Sequence, residues 1–160
     1  MEFASHLSAG LREHAERRLR ENLVGWFTSV RRSGQPDSVP VGFLFQDDAT
    51  ILIYSQPGKI KLRNIAANPR VTLTLDGTAQ GTDVIRVEGT ARHVPGHPPA
   101  CDVAAWVAKY GEHVASTGFG SPERFAAMFS EAIVITPTRL HAFVRVLAAS
   151  ADDRRGQPAR

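Results

Sequence analysis

Along the first 22 residues apolar positions return every four, at Leu7, Leu11, Ala15 and Leu19, with Arg12, Glu13, Glu16, Arg17 and Arg20 between them. That period predicts an amphipathic helix. Its narrow stripe of small and aliphatic side chains suits packing on the body of the protein or on a partner subunit, and its polar face of mixed sign argues against a membrane-surface role. From residue 23 the period shortens. LVGWFTSVR (23–31), SVPVGFLFQ (38–46) and TILIYS (50–55) are rich in aromatic and β-branched residues and read as an antiparallel meander, turning at SGQPD and at Asp47-Asp48-Ala49. Pro40 cannot donate within a ladder, which places it at an edge or beside a ligand.

After the turn Gln56-Pro57-Gly58, Leu62, Ile65 and Ala66 mark a short helix that Asn68-Pro69 ends. RVTLTLD (70–76) alternates as a half-buried strand. DVIRVEGTARHV (83–94) is a long one in which Gly89 signals a bulge or a close approach. A helix over about Ala100–Tyr110 follows, then a glycine-rich loop to Gly120. Ser121-Pro122-Glu123 is a helix start, with serine as N-cap, proline at the first position and an acid in the first turn. Phe125, Met128 and Phe129 supply that helix's buried face. Residues 132–136 and 139–147 are the last strand material, interrupted at Pro137. The expectation is one domain over 1–147 and a disordered tail over 148–160, where no core-forming residues occur. The whole is mainly β with peripheral helices. Six or seven antiparallel strands are best accommodated by a small closed or nearly closed barrel, which removes edges.

Composition narrows the class. At 160 residues and 42% hydrophobic the chain can bury a core without staples, and Cys101, its single cysteine, excludes a disulfide framework and a multi-cysteine zinc site. No apolar run approaches a membrane span, and the start MEFASHLSAG lacks a secretory pattern, so a cytoplasmic protein is expected. The net charge of +3 is too small to point to nucleic acid. Its distribution says more. Between Asp48 and Asp76 there is no acid, yet Lys59, Lys61, Arg63 and Arg70 fall there. Lys59 and Lys61 occupy the expected first turn of the short helix, where the dipole disfavours cations. A phosphate would compensate them, with Asn64 on the same helix face as Lys61 and Ser55 at the preceding strand end; a solvated basic face is the other reading of the same spacing.

The segment GKIKLRNIAANPRVTLTLDG, preceded by ILIYS and followed by DVIRVEGTA, resembles the split-barrel flavin-binding superfamily of pyridoxamine 5′-phosphate oxidase-like proteins. It is similar, more narrowly, to the actinobacterial branch predicted to use the deazaflavin coenzyme F420. That branch is marked by Lys-x-x-Asn-[Leu/Ile]-x-x-Asn-Pro-x-Val, met here by Lys61, Asn64, Ile65, Asn68, Pro69 and Val71. GSPERFAAMFSEAIVITPTRLHAF resembles one subgroup of it. The resemblance implies a six-stranded split β-barrel working as a homodimer, with a cofactor site at each end of the subunit interface. It places phosphates against Lys59, Lys61 and Asn64, with Tyr54 and Ser55 from the preceding strand, and a tricyclic ring against the backbone of Pro40, Val41 and Gly42. The full set of substrate-contacting residues of true pyridoxamine phosphate oxidases has no match, nor does their C-terminal dimer segment, which makes vitamin B6 oxidation an unexpected activity.

Hydride transfer from such a coenzyme to an unsaturated small molecule needs positioning more than a side-chain acid or base. No residue declares itself the proton donor; Tyr110, His113 and Arg86 are the candidates. Three functions compete: an F420-dependent oxidoreductase, an FMN-binding oxidoreductase or electron carrier, and a non-enzymatic carrier or nucleic-acid-binding barrel. The last lacks aromatic residues interleaved with its basic ones. His93 and His97 are separated by Pro95-Gly96, which breaks any helix that would set metal-ligand spacing, and Cys101 has no basic cluster beside it.

Overall fold

The computed structural model describes residues 1–145; the expectations for the last two residues of the domain and for the 148–160 tail lie outside that range. After a 3-10 turn at Glu2–Ala4 come α1 (Ala9–Glu21), β1 (Val24–Val30), β2 (Pro36–Gly42), β3 (Leu44–Phe45), β4 (Ile51–Ser55), α2 (Ile60–Ala67), β5 (Arg70–Leu75), β6 (Asp83–His93), α3 (Ala104–Ser116), α4 (Pro122–Met128) and β7 (Glu131–Val144). The strands form one antiparallel sheet of order β2-β1-β5-β6-β7-β4-β3. Its two outermost strands, β2 and β3, are separated in sequence by Phe43 alone, so the sheet curls until its ends meet. That is a split barrel of mainly β class.

The sheet has seven strands where six were expected, because the stretch 38–46 is divided at Phe43. The Phe43 amide donates to the Tyr110 hydroxyl at 2.7 Å, and its carbonyl accepts from Lys109 Nζ at 2.9 Å. Both backbone groups are committed to α3 and are lost to a ladder. Two other boundaries shift. The last strand runs unbroken through Pro137, because the break expected there is absorbed by a bulge. Glu88 pairs with Arg139 and Gly89 with Pro137, which leaves Thr138 as the extra residue. Gly89 is required at that bulge: a Cβ would lie 2.5 Å from the Thr136 carbonyl oxygen. The third helix begins at Ala104 instead of Ala100, where a 3-10 turn over Ala100–Asp102 stands apart from it, and it extends to Ser116, six residues past Tyr110.

Alternation along the strands builds two apolar clusters. Phe27, Phe43, Ile51, Ile53, Leu73, Ile85, Ile133 and Leu140 fill the barrel, and Ala15 and Leu19 of α1 join them. The α1 stripe therefore packs on the barrel itself. Ser8 caps the helix by accepting from Leu11 N. Asp83 then clamps it to the β5–β6 hairpin by accepting from Arg18 and from His14 Nε2, the latter at 3.0 Å. On the opposite face of β4, Leu52 and Tyr54 pack with Ala132 and Val134 of β7 against Trp106, Tyr110 and Val114 of α3 and Ala126 of α4. Strand β4 is buried on both faces, which explains why ILIYS shows no alternation. Ser121 caps α4 with Pro122 at its first position, as expected. No helix among the described residues is long and apolar enough to cross a membrane.

Candidate functional site

Where the curled sheet meets α3 and α4 lies a cavity of about 240 Å³. Its floor is Pro40, Val41 and Gly42 of edge strand β2, with Leu23 and Val24 beside them. Tyr54 and Lys61 enter from β4 and α2. The wall is aromatic: Trp106, Tyr110, His113 and Val114 from α3, then Phe119, Phe125 and Phe129. These rings support one another. Trp106 stacks on Tyr110 at 4.6 Å, Phe125 stacks on Phe129 at 4.5 Å, and Phe119 meets both phenylalanines edge-on.

The Tyr110 hydroxyl fixes the cavity's corner. Besides accepting from Phe43 N, it lies 2.6 Å from the Leu23 carbonyl and 2.9 Å from that of Phe43, to either of which it donates. Burial pushes its pKa far above the usual tyrosine value. It is a structural donor and not an acid for chemistry. Gly42 faces the Tyr110 ring, where an added Cβ would stand in ordinary van der Waals contact at 3.4 Å. Tyr54 is likewise committed: its hydroxyl donates to the Pro98 carbonyl at 2.6 Å, and burial, with Cys101 and Asp102 adding to it, pushes its pKa up to about 12.

Lys61 is the cavity's one lysine. Burial lowers its pKa first, repulsion from Lys59 lowers it further, and Asp37 opposes both. A half-buried ammonium beside a second cation is a site that an anion would stabilise. It sits in the first turn of α2, a helix whose N-cap, Lys59, makes no side-chain capping bond and whose first turn holds no acid. Leu62 N donates to the Lys59 carbonyl at 3.1 Å, which leaves the N–H groups of Ile60 and Lys61 for another acceptor.

Of the residues expected at the site, Pro40, Val41, Gly42, Tyr54 and Lys61 are brought together around this cavity. Lys59 stands at the helix N-cap, exposed and outside the lining. Asn64 is buried and donates from Nδ2 to Ser29 Oγ at 2.9 Å, which ties α2 to β1. Ser55 is buried and donates to the Gln56 carbonyl at 3.0 Å. Both orient the elements that carry Tyr54 and Lys61. Of the candidate proton donors, His113 lines the cavity, whereas Arg86 pairs with Glu88 at 3.2 Å and does not. Phe119, Phe125, Phe129, Leu23 and Val24 were not among the expected site residues. The aromatic spacing in 119–129 is visible in the sequence, but the same spacing serves a core equally well.

Residues 11–143 match the family described as pyridoxamine 5′-phosphate oxidase. Solved structures share the fold. A FAD-binding protein from Mesorhizobium loti is 25% identical, with 84% of this chain and 90% of that one covered and a TM-score of 0.55. An F420 reductase is 23% identical over 79% and 94% of the two chains, TM-score 0.59. The general stress protein 26 from Bacillus anthracis is 19% identical over 83% and 93%, TM-score 0.60. No curated protein matches the sequence.

Proposed function

This chain belongs to the pyridoxamine 5′-phosphate oxidase family, and from that premise we propose that it is an oxidoreductase using coenzyme F420 to reduce or oxidise an unsaturated small molecule. The observation that carries the reading is Lys61: a partly desolvated ammonium at an uncapped helix N-terminus, opening on a cavity floored by the backbone of Pro40, Val41 and Gly42. That donor set fits a planar ring bearing a phosphorylated tail. The coenzyme, when bound, supplies the hydride chemistry. The chain's own residues neutralise phosphate (Lys61, with Lys59 at the rim), present flat backbone to a ring (residues 40–42), and exclude water through the aromatic wall. His113 is the lining imidazole placed to act as proton donor. A flavin-dependent reaction, with FMN as the coenzyme, is the second reading; the FAD-binding neighbour from Mesorhizobium loti supports a flavin in general.

We further propose that the protein works as a homodimer. The cavity, at about 240 Å³, is smaller than the roughly 300–1,000 Å³ usual for small-molecule sites. It adjoins exposed apolar residues, with Leu23 at 36% exposed and Trp26 at 45%. A second copy covering Trp26 would deepen the site. Light scattering is expected to give twice the 17.4 kDa chain mass, and Trp26→Glu to give the monomer. A monomeric wild-type protein overturns this part.

Titration with F420 and, separately, FMN tests the cofactor. Saturable micromolar binding of F420 is expected to quench tryptophan emission, and Trp106→Phe should remove that quenching. Selective binding of FMN transfers the reading to the flavin, and binding of neither refutes it. Lys61→Ala should weaken coenzyme binding by roughly ten- to hundredfold, corresponding to about 1.5–3 kcal/mol for a charge-assisted contact. The melting temperature should not fall, since a costly buried charge is removed. Affinity is also expected to decline as pH rises through the Lys61 pKa, which lies below the ordinary 10.5, because only the ammonium attracts phosphate.

A further inference from the structure

Lys109 takes no part in the reading above. It precedes Tyr110 on α3, and its Nζ donates to the Phe43 carbonyl at 2.9 Å while lying 4.3 Å from the Phe43 ring centroid. Among the described residues it forms no ion pair. Helix α3 has two working faces: Trp106, Tyr110, His113 and Val114 line the cavity, whereas Val103, Ala105, Ala108 and Lys109 line a separate groove of about 520 Å³. The small side chains of Ala105 and Ala108 leave the groove open beside the amine, and Leu44 and Phe45 form its apolar wall. The charged groups that share it, Arg20 and Asp47, are held to each other at 3.4 Å.

Burial lowers the Lys109 pKa to about 8. Two ring faces favour the ammonium, but they do not replace its lost hydration. A larger share of this amine is therefore unprotonated at neutral pH than of an exposed lysine.

We propose that Lys109 is a nucleophilic amine site that condenses with an apolar aldehyde entering the α3 groove. The nitrogen lone pair attacks the carbonyl carbon and the oxygen gains a proton, giving a carbinolamine. Loss of water, made up of that hydroxyl and the second amine hydrogen, leaves the imine. Amine and aldehyde give imine and water with no change of redox state. The imine nitrogen has no hydrogen for the Phe43 carbonyl. The Tyr110 hydroxyl, 2.9 Å from that oxygen, is in reach to replace it. The adduct therefore keeps a donor on the Phe43 carbonyl at the expense of the bond from Tyr110 to the Leu23 carbonyl.

Lys59, Lys61 and Lys109 are the only lysines, and with the α-amino group, which is quantified on its own peptide, they are the amines that compete for the label. The intact protein is treated briefly with hexanal and cyanoborohydride at pH 7, and the alkylated peptides are quantified by mass spectrometry. Lys109 is expected to react at least tenfold faster than exposed Lys59, its rate levelling off near pH 8. In urea the two lysines should react alike. Ala108→Leu, which narrows the groove and leaves the amine in place, should slow Lys109 several-fold and leave Lys59 unchanged, with circular dichroism reporting that the fold persists. Equal or slower reaction at Lys109, a preference that survives in urea, or a folded Ala108→Leu protein with undiminished Lys109 labelling would each overturn the proposal.

Discussion

Tyr110→Phe is expected to lower the melting temperature by roughly 6–12 °C, which for a domain of this size corresponds to about 2–4 kcal/mol. The substitution removes one oxygen and keeps the ring, so the stacking on Trp106 at 4.6 Å survives. What is lost is the acceptor for the Phe43 amide and the donor 2.6 Å from the Leu23 carbonyl. The buried Phe43 amide left unpaired costs about 1–3 kcal/mol, and the part-buried Leu23 carbonyl adds a smaller loss. The Phe43 carbonyl retains Lys109 as donor, which keeps the loss below three full penalties. Thermal melts read the stability. Amide exchange at Phe43 locates it, since that N–H should lose its protection. Unchanged exchange there would mean that the hydroxyl does not hold the junction of β2 and β3.

Gly89→Ala is expected to destabilise the protein by about 1–3 kcal/mol, the usual range for forcing a methyl group into a packed site. The new Cβ would stand 2.5 Å from the Thr136 carbonyl oxygen and 2.8 Å from Ile135 Cγ2. The first of these is backbone held in the β6–β7 ladder, so it cannot swing away as a side-chain end would. Gly111→Ala is the matched control with the opposite sign. It lies within α3, where the nearest atom to an added Cβ is Val107 Cγ1 at 3.8 Å. Replacing a helical glycine there should stabilise by about 0.5–1 kcal/mol. Denaturant midpoints for the two variants should therefore move apart. A neutral Gly89→Ala would show that the bulge relaxes and that glycine is not required at it.

The resemblance carried by Lys61, Asn64, Asn68 and Pro69 pointed to the right family and fold. Pro40, Val41, Gly42, Tyr54 and Lys61 do converge on one cavity. Lys59, Ser55 and Asn64 stand around it without lining it. A motif specifies which residue types travel together, not which of them face the ligand and which brace the frame. Asn64 illustrates this: its amide is consumed by Ser29, a partner 35 positions away that no local pattern reveals. The aromatic wall was hidden for a related reason. Phe125 and Phe129 repeat with the spacing of a buried helix face, and whether such a face meets a core or a cavity depends on how much space the neighbouring sheet leaves.

The alternation of apolar residues, the cap at Ser121, the edge position of Pro40 and the bulge at Gly89 follow from local stereochemistry, and the sequence alone determined them. Tertiary structure decided three other things: the cut at Phe43 that makes seven strands of six, the split of α3 into a cavity face and a groove face, and the separate environments of Lys61 and Lys109. Local pattern fixes which side of an element avoids water. Which donor reaches a given carbonyl, and how far an ammonium is stripped of solvent, is set by segments that meet only after the chain has closed on itself.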